Sequence, residues 1–416
     1  MYEKEVLANG LVVVGEEIPH VRSVACGILV GAGVNQETSH NNGISHFIEH
    51  MFFKGTKRRS ALEIAKTLDE LGGRLNAYTD KEATMFYSVV LDSHIFRAMD
   101  LLFDIFLNST IKSKDINLEK KVVLEEIKMY QDTPDELIHD LFITSLWQGH
   151  SMGKPILGDK SIIKGLERKD LDAYIQDIYV PNNIVISLAG NFSFQDVIPE
   201  IRARFDSMRK QNATIVYEPP TSFPGIKIWK KDTEQVHICL GGNGFSYKDK
   251  SRYTLAVLNS ILGGSMSSRL FQEIREKRGL AYSIYSYQSY YRNGGLFAIY
   301  SGTSLENSRQ VVQLIMAELS KIRGGDISEA EIKKAKEHLK GNMVLSLESS
   351  NSRMSWNSKN FFYFDKFFTV EDVFSSINAV TLEDVTSIAN TLFLPEKLCL
   401  TAIGPFTNED HFSGIL

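Results

Sequence analysis

DAYIQDIYVPNNIVISLAGNF, residues 172–192, comes back late in the chain as SIANTLFLPEKLCLTAIGPF, residues 387–406. Pro181 aligns with Pro395 and Phe192 with Phe406, a constant shift of 214. Each copy reads as a helix, a proline that cannot continue it, a buried apolar strand, and a closing Gly-x-Phe. An earlier pair agrees more loosely: GGRLNAYTDKEATMFYSVVL (72–91) and GLAYSIYSYQSYYRNGGLFAIY (279–300) both read as hairpins of alternating apolar residues followed by a helix. The chain therefore contains one domain twice.

In each half strands come first, then helices, then the hairpin, then more helices and the closing strand. Segregated runs of this kind give an α+β fold, a mostly antiparallel sheet with helices packed on one face. A chain of 416 residues exceeds one ordinary core, which also favours two domains. The Pro-rich stretch EPPTSFPG is extended and semi-rigid, so we place the boundary there: an N-terminal domain over 1–217, a linker over 218–225 and a homologous C-terminal domain over 226–416.

The first half carries HFIEH at 46–50. Helical spacing of three and four stacks His46, Glu49 and His50 on one face, so two imidazoles can aim at one ion while the carboxylate lies beside it. Ile44, Phe47, Ile48, Met51, Phe52 and Phe53 surround them, which predicts a buried helix. Two imidazoles and a carboxylate in hydrocarbon cost several kcal/mol unless something satisfies them. A divalent cation does so; satisfied core histidines in a chance pattern are the plain alternative.

Two histidines leave a tetrahedral ion short of a third protein ligand. In LEKKVVLEEIKMY (118–130) a helical wheel puts Glu119, Val122, Val123, Glu126 and Tyr130 on one face, with Glu125 pointing elsewhere. Glu126 thus sits in an apolar stripe, either as a ligand or in a buried salt bridge with a Lys or Arg. In the second half, the corresponding region AVLNSILGG (256–264) has no such ligands, so one metal per chain is expected.

HFIEHMFFKGT (46–56), with Glu126 76 positions after His50 and Glu119 seven before Glu126, resembles the inverzincin metallopeptidases of the pitrilysin and mitochondrial-processing-peptidase family. GGRLNAYTDKEATMFY (72–87), VVLEEIKMYQDTPDE (122–136) and LFQEIREKRGLAYSIYSY (270–287) resemble family segments in the same order. The resemblance implies zinc, one ion per chain, held by His46, His50 and Glu126. It makes Glu49 the general base for a zinc-bound water, Glu119 an acid behind the ligands, and Arg275 and Tyr282 groups that reach the reacting carbonyl. It also points to Asn76 and Ala77, on a strand following the Gly-Gly turn, as an edge to which an extended peptide substrate adds.

In relatives about twice this long the Arg and Tyr come from the half opposite the metal, so this chain resembles half of a clamshell. A homodimer is the expectation, with Arg275 and Tyr282 of one subunit completing the site of the other around a chamber that admits unfolded peptides. The alternatives are a non-catalytic scaffold or a peptide-binding subunit with the same fold.

A formal net charge of −5, with Lys and Glu interspersed, gives no basic stripe for nucleic acid. The start MYEKEVLANGLVVVGEEIPH lacks the pattern of a signal peptide, and no run reaches the ~18 apolar residues of a membrane span, so a cytoplasmic protein with no membrane partner is expected. Cys26, Cys239 and Cys399 are odd in number and sit in apolar strand-like runs, which reads as buried thiols, neither ligands nor nucleophiles.

Overall fold

The computed structural model describes every residue except Met1, Asn212 and Thr214. Strands β1 (Tyr2–Val6), β2 (Val12–Glu17), β3 (Ser23–Val30), β4 (Arg74–Thr79), β5 (Thr84–Leu91) and β6 (Ile184–Gly190) form one sheet in the order β1-β2-β6-β3-β5-β4. Strands β7 (Gly225–Lys230), β8 (Val236–Asn243), β9 (Ala281–Tyr290), β10 (Gly295–Thr303) and β11 (Cys399–Gly404) form the other, in the order β7-β11-β8-β10-β9. Leaving out β1, the two orders are the same. In both, the closing strand runs parallel to the opening one (β6 with β2, β11 with β7) and the other pairs are antiparallel. The duplicated stretches of sequence supply β6 and β11, the central closing strands, and both are buried along their whole length. The linker gives up its last residue, Gly225, to the start of β7.

The main helical layer of each sheet lies on one face. In the first, Phe47, Ile48, Met51 and Phe52 pack with Phe86, Phe103, Phe106 and Phe205. In the second, Leu255, Leu258 and Leu262 pack with Val312, Ile315, Val385 and Phe393. The opposite faces are also apolar, because the central strands are buried on both sides, and the helical layer on one face leaves them uncovered. Among the described residues, one helix lies over each. Pro134–Leu146 lies on β8 and β11 of the second sheet, burying Ile138, Phe142 and Leu146. Ser350–Phe364 lies on β2, β3 and β6 of the first, with Met354 and Phe361 against Leu29, Met85 and Val14.

These two helices come from opposite halves of the sequence from the sheets they cover. The compact units are accordingly discontinuous: one takes 1–127, 155–216 and 345–368, the other 128–154, 217–344 and 369–416. The change of unit at 216/217 falls beside the Pro-rich stretch; the exchanged helices have no counterpart in a contiguous division. Polar contacts specify the docking. Buried Glu16 on β2 accepts from Arg353 Nη1 (2.5 Å) and Asn357 Nδ2 (2.9 Å), and Ser187 Oγ donates to the Met354 carbonyl (2.9 Å). In the other unit Trp147 Nε1 donates to Asn243 Oδ1 (2.7 Å).

All three cysteines are buried and unpaired, with the Cys26 thiol pushed up to about 12 by burial. Among the described residues no helix is long and apolar enough to cross a membrane.

Candidate metal centre

The helix Ile44–Phe52 buries Ile44 to Ile48 together with Met51 and Phe52, and leaves Glu49 and His50 half-buried. Its one open face is therefore the face that carries the chemistry. The helix starts at Gly43, whose φ of +91° is a left-handed conformation that glycine adopts without steric cost. There Glu37, buried, accepts from Gly43 N (2.8 Å), Ser45 N (3.0 Å) and Asn42 Nδ2 (2.9 Å), which satisfies two of the orphan amides at the helix start. Burial pushes the Glu37 carboxyl up, against those three hydrogen bonds.

Glu126 comes from the helix Ser113–Gln131. Its Oε2 lies 3.8 Å from His46 Nε2 and 3.6 Å from His50 Nε2, and the two imidazole nitrogens are 3.2 Å apart. A point equidistant from three atoms at those spacings lies about 2.1 Å from each, the length of Zn–N and Zn–O bonds. The donor set therefore fits a zinc-sized ion. Among the described residues this is the only group of three His, Cys, Asp or Glu side chains so arranged, and no Lys or Arg pairs with Glu126.

The buried line on this helix departs from the wheel. Glu119, Val123 and Ile127 are buried with Ile116, whereas Val122 is 46% exposed. Glu119 stands behind the trio. His50 Nδ1 donates to its Oε1 (2.8 Å), and Lys54 Nζ lies 2.6 Å from its Oε2. Burial pushes the Glu119 carboxyl up, but the His50 and Lys54 hydrogen bonds outweigh it and hold the group below the ordinary carboxylate range. Burial and the neighbouring His50 bring His46 down to about 3, so its ring is neutral at physiological pH, the form that ligates. For His50 burial pulls downward, but the bond to Glu119 and the charges of Glu126 and Glu49 raise it overall.

Glu49 belongs to neither group. Its Oε2 accepts from Thr79 Oγ1 at 2.5 Å, and burial raises its carboxyl above the ordinary range despite that bond. Thr79 ends β4, the edge strand of its sheet. Asn76 and Ala77 are on the same strand; Asn76 is exposed, Ala77 is half-buried, and the Ala77 amide donates to Asn76 Oδ1 (2.9 Å).

Arg275 and Tyr282 stand in the other unit. A π-helical turn, Phe271–Glu276, carries Arg275 with its guanidinium 4.7 Å from the Phe271 ring centre and 5.0 Å from that of Tyr282, a residue 77% exposed on β9. The structure thus brings His46, His50, Glu126, Glu119 and Glu49 together, sets Asn76 and Ala77 on an open edge, and pairs Arg275 with Tyr282. Glu37, Lys54 and Thr79 do not stand out in the sequence. Lys54 lies four positions after His50, beyond the helix end, and Thr79 falls within a strand whose edge alone draws notice, so neither gives a periodic signal.

Two family models cover most of the chain: residues 12–160 match "Insulinase (Peptidase family M16)" and residues 165–339 match "Peptidase M16 inactive domain". An uncharacterized zinc protease of Bacillus subtilis, YmxG, is 43% identical over 408 residues, covering 98% of this chain and 99% of the relative. The chain belongs to peptidase family M16. A second relative, an uncharacterized zinc protease of Mycobacterium leprae, is 36% identical over 97% of this chain and 92% of its own length. The crystal structure of a protease from Helicobacter pylori shares the fold, with a TM-score of 0.90 at 22% identity over 97% of this chain and 99% of that one. His46, Glu49, His50, Glu119 and Glu126 all fall in the first M16 match. The second, described as inactive, contains the helix Ser251–Leu262, whose sequence holds no His, Cys, Asp or Glu.

Proposed function

We propose that this M16 protein is a zinc-dependent endopeptidase that cleaves unfolded peptides or oligopeptides. The observation that carries the reading is the separation of duties on one helix face: His46 and His50 converge with Glu126, while Glu49 is outside that trio and held by Thr79. Zinc bound there would polarise the scissile carbonyl and acidify a water. The remaining work falls to the chain. Glu49, raised by burial, accepts the proton of the attacking water and returns it to the leaving amine. An extended peptide adds to the open edge of β4 at Asn76 and Ala77, held by its main chain. Tyr282, and Arg275 beside it, donate to the oxygen on which charge develops, a contact that commonly contributes about 3 kcal/mol. In this reading they act from the partner subunit of a homodimer, enclosing a chamber in the cytoplasm.

Purified protein incubated with a quenched random peptide library, with and without chelator, tests the activity beside a Glu49→Gln variant. Elemental analysis should find zinc in both and cleavage only in the wild type. Chelator-insensitive cleavage, or none, removes the peptidase reading; full activity in a strictly monomeric species removes the dimer.

A further inference from the structure

Thr79 lies on the strand proposed to take the substrate, two positions after Ala77. Side chains alternate along a strand, so Leu75, Ala77 and Thr79 share one face while Asn76 and Tyr78 share the other. Leu75 and Ala77 do pack against the helical core, and Tyr78 against the opposite cluster. Thr79 therefore points at the helix Ile44–Phe52, where its hydroxyl meets Glu49.

The direction of that hydrogen bond follows from the inventory of protons. Thr84, paired with Thr79 across the hairpin, donates its single hydroxyl proton to the Ala32 carbonyl (2.8 Å), so toward Thr79, at 3.3 Å, it can only accept. An ionised Glu49 has no proton to give. The Thr79 proton is thus directed to its nearer partner, Glu49 Oε2 at 2.5 Å, which leaves Oε1 to act on water.

We infer that Thr79 is the positioning residue of the base, and that it couples the pairing of a peptide along β4 to the placement of the Glu49 carboxylate. The inference rests on the peptidase reading above. A peptide on the open edge of β4 lies about 4.8 Å from it, and its ladder of main-chain hydrogen bonds fixes its register against that strand. Because Thr79 belongs to the same strand, the scissile carbonyl and the base are referenced to one rigid element. Misplacement by about 1 Å is enough to cost a hundredfold in rate.

The test compares Thr79→Val, which keeps the shape and removes the proton, with Thr79→Ser, which keeps the proton. Steady-state kinetics on an extended quenched peptide, zinc affinity by competition with a chromophoric chelator, and the melting temperature are measured for each. A hydrogen bond to a charged group predicts that Thr79→Val loses about ten- to a hundredfold in kcat, with KM, zinc affinity and melting temperature close to wild type, and that Thr79→Ser recovers most of the loss. Retained kcat in Thr79→Val overturns the inference. So does a loss accompanied by weaker zinc binding or a lower melting temperature, or one that serine does not restore, since each describes a structural prop. If zinc-loaded wild type cleaves nothing, the peptidase reading and this inference fall together; if wild type cleaves and Thr79→Val matches it, only this inference falls.

Discussion

Glu119→Gln alters the candidate metal site without touching His46, His50 or Glu126, the three side chains proposed to hold the ion. The native carboxylate is 2% exposed, takes the Nδ1 proton of His50 at 2.8 Å and faces the Lys54 ammonium at 2.6 Å. It decides which ring nitrogen carries hydrogen, so that Nε2 is bare toward His46 and Glu126. Glutamine has nearly the same shape, but it is a neutral acceptor at one end and a donor at the other, and it leaves Lys54 without its counter-charge. Losing a hydrogen bond to a charged group costs about 1.5–3 kcal/mol. Loss of an outer partner of a metal-bound histidine typically lowers metal affinity about 10- to 100-fold, and at about 1.4 kcal/mol per tenfold the two figures agree. The zinc dissociation constant of Glu119→Gln should therefore rise about 10- to 100-fold, measured by competition with a chromophoric chelator at neutral pH. Lys54→Met should cost less, because the lysine side chain is a third exposed and its charge is partly screened. A Glu119→Gln affinity within about twofold of wild type would show that packing alone orients His50 and that the carboxylate behind it does not.

Two further ion pairs test the scaffold. Arg353→Met strips buried Glu16 of its ionic partner on the exchanged helix Ser350–Phe364 and should destabilise the protein by about 3 kcal/mol in denaturant unfolding, while the double variant Glu16→Met/Arg353→Met should recover part of that loss. In the other unit Arg269, bonded to Glu331 at 2.8 and 2.9 Å, holds that carboxyl down to about 2. A carboxyl depressed by folding stabilises above its unfolded pKa of about 4.3 and loses that contribution as pH falls toward its folded value. The stability gap between wild type and Glu331→Gln, about 1 kcal/mol after screening, should be full at neutral pH and close between about pH 4 and pH 2; a gap that persists at pH 2 would contradict this.

Much of the fold was legible because duplication leaves a trace at fixed spacing. The repeated helix, proline, apolar strand and Gly-x-Phe became β6 and β11, in the same place in two sheets of the same order. The exchanged helices were not legible. Pro134–Leu146 and Ser350–Phe364 each need an apolar sheet face, and both sheets offer one, so nothing local in either helix says which it will cover. Wheel position alone puts Val122 in the core, yet the helix Ser113–Gln131 turns its buried line through Glu119, Val123 and Ile127, leaving Val122 outside.

By itself the sequence determined whatever depends on neighbours along the chain: His46, Glu49 and His50 share a face because a helix brings residues three and four apart together. That Glu126 closes the triangle, that Lys54 and Glu119 stand in series behind His50, and that Thr79 reaches Glu49 from an edge strand were decided only in three dimensions. Those contacts join segments tens of residues apart, where distance is set by how whole elements pack and no local periodicity carries the information.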